Sequence, residues 1–169
     1  PAVPAIGPRP TLLTGAQERS AISFNRSHFS DRRSTLAIQG HVGANPDAIF
    51  GPDTVERVAD AQSVAGLVVD GKVGRNTLEL FVTQLTAAGQ QNTAIRLIVD
   101  FFNFRDAGNL LDVFFDPTEP DNASTDFRPN EPVRVGVGPS GMAQPFAGIV
   151  HTIAHEFEHV RRLREGIVS

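Results

Sequence analysis

The 169-residue sequence contains no cysteine, no tryptophan and no tyrosine. Without cysteine, disulfide bonds and thiolate metal sites are excluded, so any metal must be bound by histidine and carboxylate side chains. Without tryptophan or tyrosine, a sugar-binding surface of the usual stacked-tryptophan kind is also excluded, although the chain has twelve phenylalanines.

The sequence also lacks any concentration of positive charge. Lysine and arginine total 15 against 19 aspartate and glutamate residues, which gives a net charge of -4. Because no basic run or basic helix face occurs, nucleic acid and anionic membranes are poor partners. No apolar stretch reaches the roughly 18 residues of a transmembrane helix. The opening PAVPAIGPRP lacks the layout of a signal peptide, which leaves the route of any export open.

The pattern of the chain predicts three segments. Residues 1–20, which are rich in proline, predict an arm or linker. Residues 21–87 have a helical pattern, and residues 88–169 predict a helix, two strands and a second helix. The expected fold class is therefore α+β, with a small helical N-terminal module followed by a minimal helix–strand–strand–helix unit.

The second unit can be resolved further from its periodicity. Residues 93–104 predict a buried helix, ended by the glycine that follows, because apolar side chains recur at i, i+3, i+4 and i+7. Residues 111–116 and 133–137 predict strands, and the proline-rich loop 117–132 between them is long enough to have a binding role. Residues 146–164 predict the last helix, with a glycine shortly after its end.

A short motif occurs twice in the first half of the chain, 23 residues apart. Residues 47–54 and 70–77 both fit the pattern D-x-x-[FV]-G-x-x-T. The aspartate closes a turn, the glycine supplies unusual backbone angles, and the hydroxyl can satisfy exposed amides at a helix start. Each copy therefore predicts a turn that is followed by a helix.

Residues 48–81 resemble the small three-helix peptidoglycan-binding domain of bacteria. The first turn departs from the family pattern at Ala48, where glycine is usual. The resemblance implies binding to peptidoglycan and localisation at the cell envelope, although the same framework can serve as a docking unit without a glycan ligand. The residues that carry the resemblance are Phe50, Gly51, Thr54, Gln62, Asp70, Gly71, Gly74 and Thr77.

The sequence HEFEH at residues 155–159 fits the metal-binding motif H-E-x-x-H. His155 and His159 lie one turn apart on one helix face, so both imidazoles can reach a single ion. Zinc binds neutral imidazole and leaves one position for water in catalytic sites, and Glu156 would take a proton from that water in peptide hydrolysis. The alternative interpretation is a solvent-exposed helix on which these side chains are ordinary polar surface.

The sequence does not identify a third metal ligand. Glu165 reaches the histidine pair only if the helix breaks early. His151 begins about 12 Å from His159 along the helix axis, so it is better placed to contact a ligand or substrate than the ion. The remaining alternatives are a continuation of the chain past its last residue and three loop carboxylates, Asp121, Asp126 and Glu131.

The run from Ile95 to Gly166 is similar to the zincin-like metallopeptidase domains of bacterial secreted effectors and of proteins linked to contractile injection systems. This resemblance implies a zinc peptidase in which the strand of Val133, Val135 and Val137 aligns the substrate. The two resemblances together predict a secreted or envelope-associated peptidase that cleaves peptidoglycan or an envelope protein, with a secretion or injection apparatus as a further partner. The alternative is a non-catalytic peptidoglycan-binding or secretion-system cargo module with a vestigial or structural metal site.

Overall fold

The computed structural model describes residues 11–128 and 130–166, and within them the chain forms seven helices and five short strands. This composition confirms the predicted α+β class. The helices are α1 (Gly15–His28), α2 (Arg32–Val42), α3 (Pro52–Val64), α4 (Arg75–Ala87), α5 (Gln91–Phe101), α6 (Pro139–Met142) and α7 (Phe146–Arg164). The strands are β1 (Arg105–Asp106), β2 (Asn109–Leu110), β3 (Asp112–Phe115), β4 (Ala123–Asp126) and β5 (Arg134–Val137).

Helix α1 begins earlier than the sequence pattern predicts. Thr14 caps it through a capping box with Gln17, in which each side chain accepts a hydrogen bond from the other residue's backbone. Leu13, just before the cap, is buried against α1 and α3. The predicted arm over residues 1–20 is therefore wrong at its C-terminal end, since the helix starts at Gly15; residues 1–10 lie outside the described part of the chain.

The repeated motif builds two turns that are each tied to a buried glutamine. Gln62 donates from Nε2 to Asp70, Lys72 and Thr77 at 2.9–3.0 Å and accepts from the amides of Asp70 and Gly71. Twenty-three residues earlier, Gln39 makes four of the five corresponding bonds to the first turn, where the amide of Asp47 bonds to Asn45 O instead. Both glutamines are almost completely buried, so their hydrogen bonds replace those that water would otherwise make.

The two turns differ in how tightly they are covered. Gly71 has a φ of +73°, and a Cβ there would lie 2.7 Å from Leu13 Cδ1 and 3.2 Å from the Cβ of Ala21. Ala48 occupies the corresponding position of the first turn with a φ of +64° and is half-buried. The open first turn accommodates a methyl group where the second cannot, although alanine is strained at this backbone angle.

Ala48→Gly is expected to raise the free energy of unfolding by roughly 0.5–1 kcal/mol. The left-handed conformation costs a non-glycine residue about 1–2 kcal/mol, from which the larger chain entropy of unfolded glycine must be subtracted. Denaturant unfolding of the purified variant measures the change. The reverse substitution Gly71→Ala serves as the control, because it combines strain with a steric clash and should destabilise the protein. A loss of stability in Ala48→Gly would contradict the argument.

The sheet places strand β5 in the middle. Its order is β3-β5-β4, with β5 parallel to β3 and antiparallel to β4, while β1 and β2 form a separate hairpin. Strand β4 lies inside the segment 117–132 that was predicted to be an irregular loop. The role predicted for Val133, Val135 and Val137 is also corrected, because β5 is paired on both sides and presents no open edge to a peptide.

One hydrophobic core connects the two predicted domains. Helix α5 packs against α2, α4 and β3, and buried residues from α2 to α7 belong to a single cluster. The predicted boundary between residues 87 and 88 falls between the closely packed α4 and α5 and does not divide this core. Helix α5 ends at Phe101 rather than near Gly108, because Asn103 adopts a left-handed conformation.

Candidate functional site: a histidine pair beside an edge strand

Helix α7 presents its histidines to solvent because its opposite face is apolar. Phe146, Ile149, Ile153 and Val160 follow helical spacing and are buried in the core. The histidines at 151, 155 and 159 are exposed, whereas Glu156 is half-buried. The predicted helix over 146–164 is confirmed at both ends, so the H-E-x-x-H motif lies on a continuous helix.

The two histidines of the motif converge. The Nε2 atoms of His155 and His159 are 3.1 Å apart, and their rings are nearly perpendicular. Two nitrogen ligands at 2.0–2.1 Å from a tetrahedral zinc ion would lie about 3.3 Å from each other. The pair therefore fits two coordination positions of one zinc ion, and a direct hydrogen bond between the rings fits the same distance.

Glu156 is held by the edge strand. Its Oε2 accepts a hydrogen bond of 2.5 Å from Thr125 Oγ1 on β4. Side chains of β4 alternate between half-buried and exposed, which places Thr125 on the strand face that packs against α7. The threonine thus fixes one oxygen of the carboxylate beside the histidine pair.

An open cleft of about 650 Å³ adjoins these residues. Its walls are α7, the chain entering β4, and the start of α6. A hydrogen bond of 2.9 Å from Gly138 N to Asn122 O holds the entering chain at the start of α6. The approach requires glycine, because a Cβ at Gly138 would lie 2.5 Å from Asp121 O and one at Gly141 would lie 2.2 Å from Asn122 O. The residues that line the cleft are Pro120, Asp121, Asn122, Ala123, Ser140, His151, Thr152, His155 and Glu156.

The structure narrows the alternatives for a third metal ligand. Helix α7 continues to Arg164, so the early break that Glu165 would need to reach the histidine pair does not occur, and Glu165 instead accepts a hydrogen bond from Arg161 at 2.9 Å. Asp121 and His151 line the same cleft as His155, while Asp126 lies near Arg128. Among residues 11–128 and 130–166, no group of three or more histidine or acidic side chains is placed to hold a metal ion.

Glu158 has a different role from its neighbour in the motif. It accepts hydrogen bonds from the Arg161 guanidinium at 2.6 and 3.2 Å, and this contact holds the pKa of Glu158 below its usual value. Glu158 therefore remains charged and paired with Arg161 outside the cleft, whereas Glu156 lines the cleft.

The residues predicted to mark the N-terminal module are mostly structural. Phe50 is buried in the core, and Gly51 and Gly74 are the N-cap residues of α3 and α4. Thr54 and Thr77 bond to the two buried glutamines, as Asp70 and Gly71 bond to Gln62.

Sequence reasoning missed two further members of these networks. Gln39 lies 23 residues before Gln62, so the period of the repeat would have identified it. Asn25 on α1 donates to Gly71 O and accepts from Val73 N at 2.8–2.9 Å, which joins α1 to the second turn. No repeated pattern marks Asn25, because the contact depends on the packing of α1.

Comparison with known proteins supports the first resemblance. Residues 33–81 match the family model described as "Putative peptidoglycan binding domain". The matched segment comprises α2, α3 and the start of α4, and the match supports binding to the cell wall and association with the cell envelope. No curated protein and no solved structure matches the chain. None of the helices in the described part of the chain has the length and apolar character needed to cross a membrane.

Proposed function

We propose that this protein is a zinc-dependent peptidase that its peptidoglycan-binding domain directs to the bacterial cell wall. The observation that carries the proposal is the convergence of His155 and His159 beside Glu156, at an open cleft next to an edge strand. The substrate is a peptide bond in peptidoglycan or in an envelope protein.

The roles of the residues follow from their positions. His155 and His159 would hold the zinc ion, which would supply a Lewis acid and lower the pKa of water. Glu156 accepts a proton from the attacking water and passes it to the leaving amine. Thr125 keeps the Glu156 carboxylate at the edge of the cleft through its hydrogen bond.

Strand β4 takes the role that the sequence assigned to β5. It pairs with β5 on one side only, and its first residue lines the cleft beside α7. An extended peptide can add to such an edge through main-chain hydrogen bonds, which would bring its carbonyl groups past Glu156. Residues 123–126 therefore align the substrate in this proposal.

A non-catalytic role is the second candidate. A peptidoglycan-binding or secretion-system cargo module would have either a closed four-ligand structural metal site or a vestigial site without metal, and it would need no substrate cleft. Among the residues that the structure describes, no third ligand joins the histidine pair, which favours this candidate. The peptidase candidate predicts zinc binding at an open site and hydrolysis of a peptide substrate, whereas the non-catalytic candidate predicts neither.

Zinc titration of the metal-free protein tests the proposal directly. We expect one zinc ion per chain and an affinity that falls by about 100-fold or more in His159→Ala, since loss of a ligand should exceed the effect of losing an outer-shell partner. His28→Gln, on α1 and outside the cleft, is the control and should bind zinc as the parent does. Hydrolysis is then measured on purified sacculi and envelope proteins. Failure of the parent to bind zinc would refute the peptidase assignment.

A further inference from the structure

A second open groove lies between the peptidoglycan-binding domain and helix α5. It has a volume of about 530 Å³, within the range of ordinary ligand sites. One wall is α2, whose contributing residues all fall within the matched segment 33–81, and the other is the first two turns of α5. The lining residues are Arg33, Leu36, Ala37, Gly40, His41, Leu85, Gln90, Thr93 and Arg96.

The groove combines an apolar floor with positive charge. Leu36, Ala37 and Leu85 supply the apolar surface, and no carboxylate is among the lining residues. This composition contrasts with the net charge of -4 for the whole chain. The groove therefore favours a ligand that has both small apolar groups and a negative charge.

Arg96 is the cation available to such a ligand. Arg33 is bound to Asp31 at 2.9 Å, and His41 Nε2 is 2.6 Å from Gln84 Oε1. Arg96 is half-buried and makes no hydrogen bond or direct ion pair in the described ranges. The pKa of Asp31 is lowered mainly by its hydrogen bonds with Arg33 and only at longer range by the charge of Arg96, so the guanidinium donors of Arg96 stay open to a ligand. Its guanidinium can offer a carboxylate two parallel hydrogen bonds.

The start of α5 adds to the same preference for negative charge. Its N-cap residue Gln90 makes no side-chain capping bond, so the first amides of the helix lack that partner. Such amides and the helix dipole favour anions near a helix N-terminus. Gln90 and Thr93 line the groove at this end.

We infer that the groove between α2 and α5 binds a carboxylate of a peptidoglycan stem peptide, with Arg96 as the anchoring residue. The inference rests on the proposed binding to the cell wall and specifies the surface that performs it. The alanine methyl groups of a stem peptide match the apolar floor, and its free carboxylates match Arg96. The site includes α5, so residues 33–81 alone would lack its anchor.

Binding of the full chain to purified sacculi tests this inference. We expect Arg96→Gln to bind at least tenfold more weakly than the parent and to unfold at the same temperature, because Arg96 contributes no described ion pair. Arg57→Gln is the matched control: it removes the same charge from α3, where Arg57 lies 3.5 Å from Asp53. It should bind sacculi as the parent does.

Two substrate preparations distinguish a carboxylate from a phosphate ligand. Sacculi stripped of phosphate-containing polymers by acid should retain the protein, whereas glycan strands freed of stem peptides by an amidase should not. Equal binding by the parent and Arg96→Gln, equal weakening in Arg57→Gln, or retention on peptide-free glycan would each overturn the groove assignment alone. Failure of the parent to bind any sacculus would instead overturn the proposed wall binding, and the groove assignment with it.

Discussion

Glu156→Gln is expected to lower the rate of peptide hydrolysis by about 10²–10⁴-fold while leaving the zinc affinity unchanged. The amide is nearly the same size as the carboxylate and can still accept the hydrogen bond from Thr125. It has no basic oxygen, so it cannot take a proton from water. Parallel measurements of zinc stoichiometry and of hydrolysis by parent and variant separate the two effects.

Glu158→Gln provides the matched control for this experiment. It lies two residues away on the same helix, removes the same charge, and is bonded to Arg161 outside the cleft. Its hydrolysis rate should remain close to that of the parent. If Glu156→Gln cleaves as fast as the parent, Glu156 is not the general base and the proposed mechanism is wrong. If it loses both zinc and activity, Glu156 contributes to metal binding instead.

The helices of the protein are predictable from its sequence because local signals agree with the final packing. The apolar stripe of α7 and the glycine after it mark a helix whose bounds the structure confirms. The repeated turns are equally clear, since glycine, aspartate and threonine have distinct tasks at fixed positions. The start of α1 was missed because its capping box, Thr14 with Gln17, lies among prolines and glycines that indicate a linker.

The sheet order and the surroundings of the motif could not be predicted in the same way. The short apolar alternation of β5 would be the same in a central strand and in an edge strand. Only the long-range pairing with β3 and β4 shows that β5 is central. Strand β4 has the polar sequence ASTD, which reads as loop, and it forms a strand because β5 offers it a partner. The contact between Thr125 and Glu156 spans 31 residues and therefore has no local signature.

Gln62→Ala is expected to lower the free energy of unfolding by about 3–5 kcal/mol. Truncation leaves the amides of Asp70 and Gly71, the carbonyl of Lys72 and the hydroxyl of Thr77 without their partner. Gly71 and Thr77 are buried, and each buried polar group that loses its hydrogen bond costs about 1–3 kcal/mol. Denaturant unfolding followed by circular dichroism measures the loss.

Gln39→Ala is the internal control for this prediction because the repeat places Gln39 in the same network at the first turn. Its partners Asp47 and Ile49 are exposed, so water can replace much of what the amide supplied, and we expect a smaller loss of about 1–3 kcal/mol. Equal losses in the two variants would show that burial of the turn does not set the cost. A larger loss in Gln62→Ala would show that water cannot replace the hydrogen bonds of the second turn, which Asn25 and Leu13 cover.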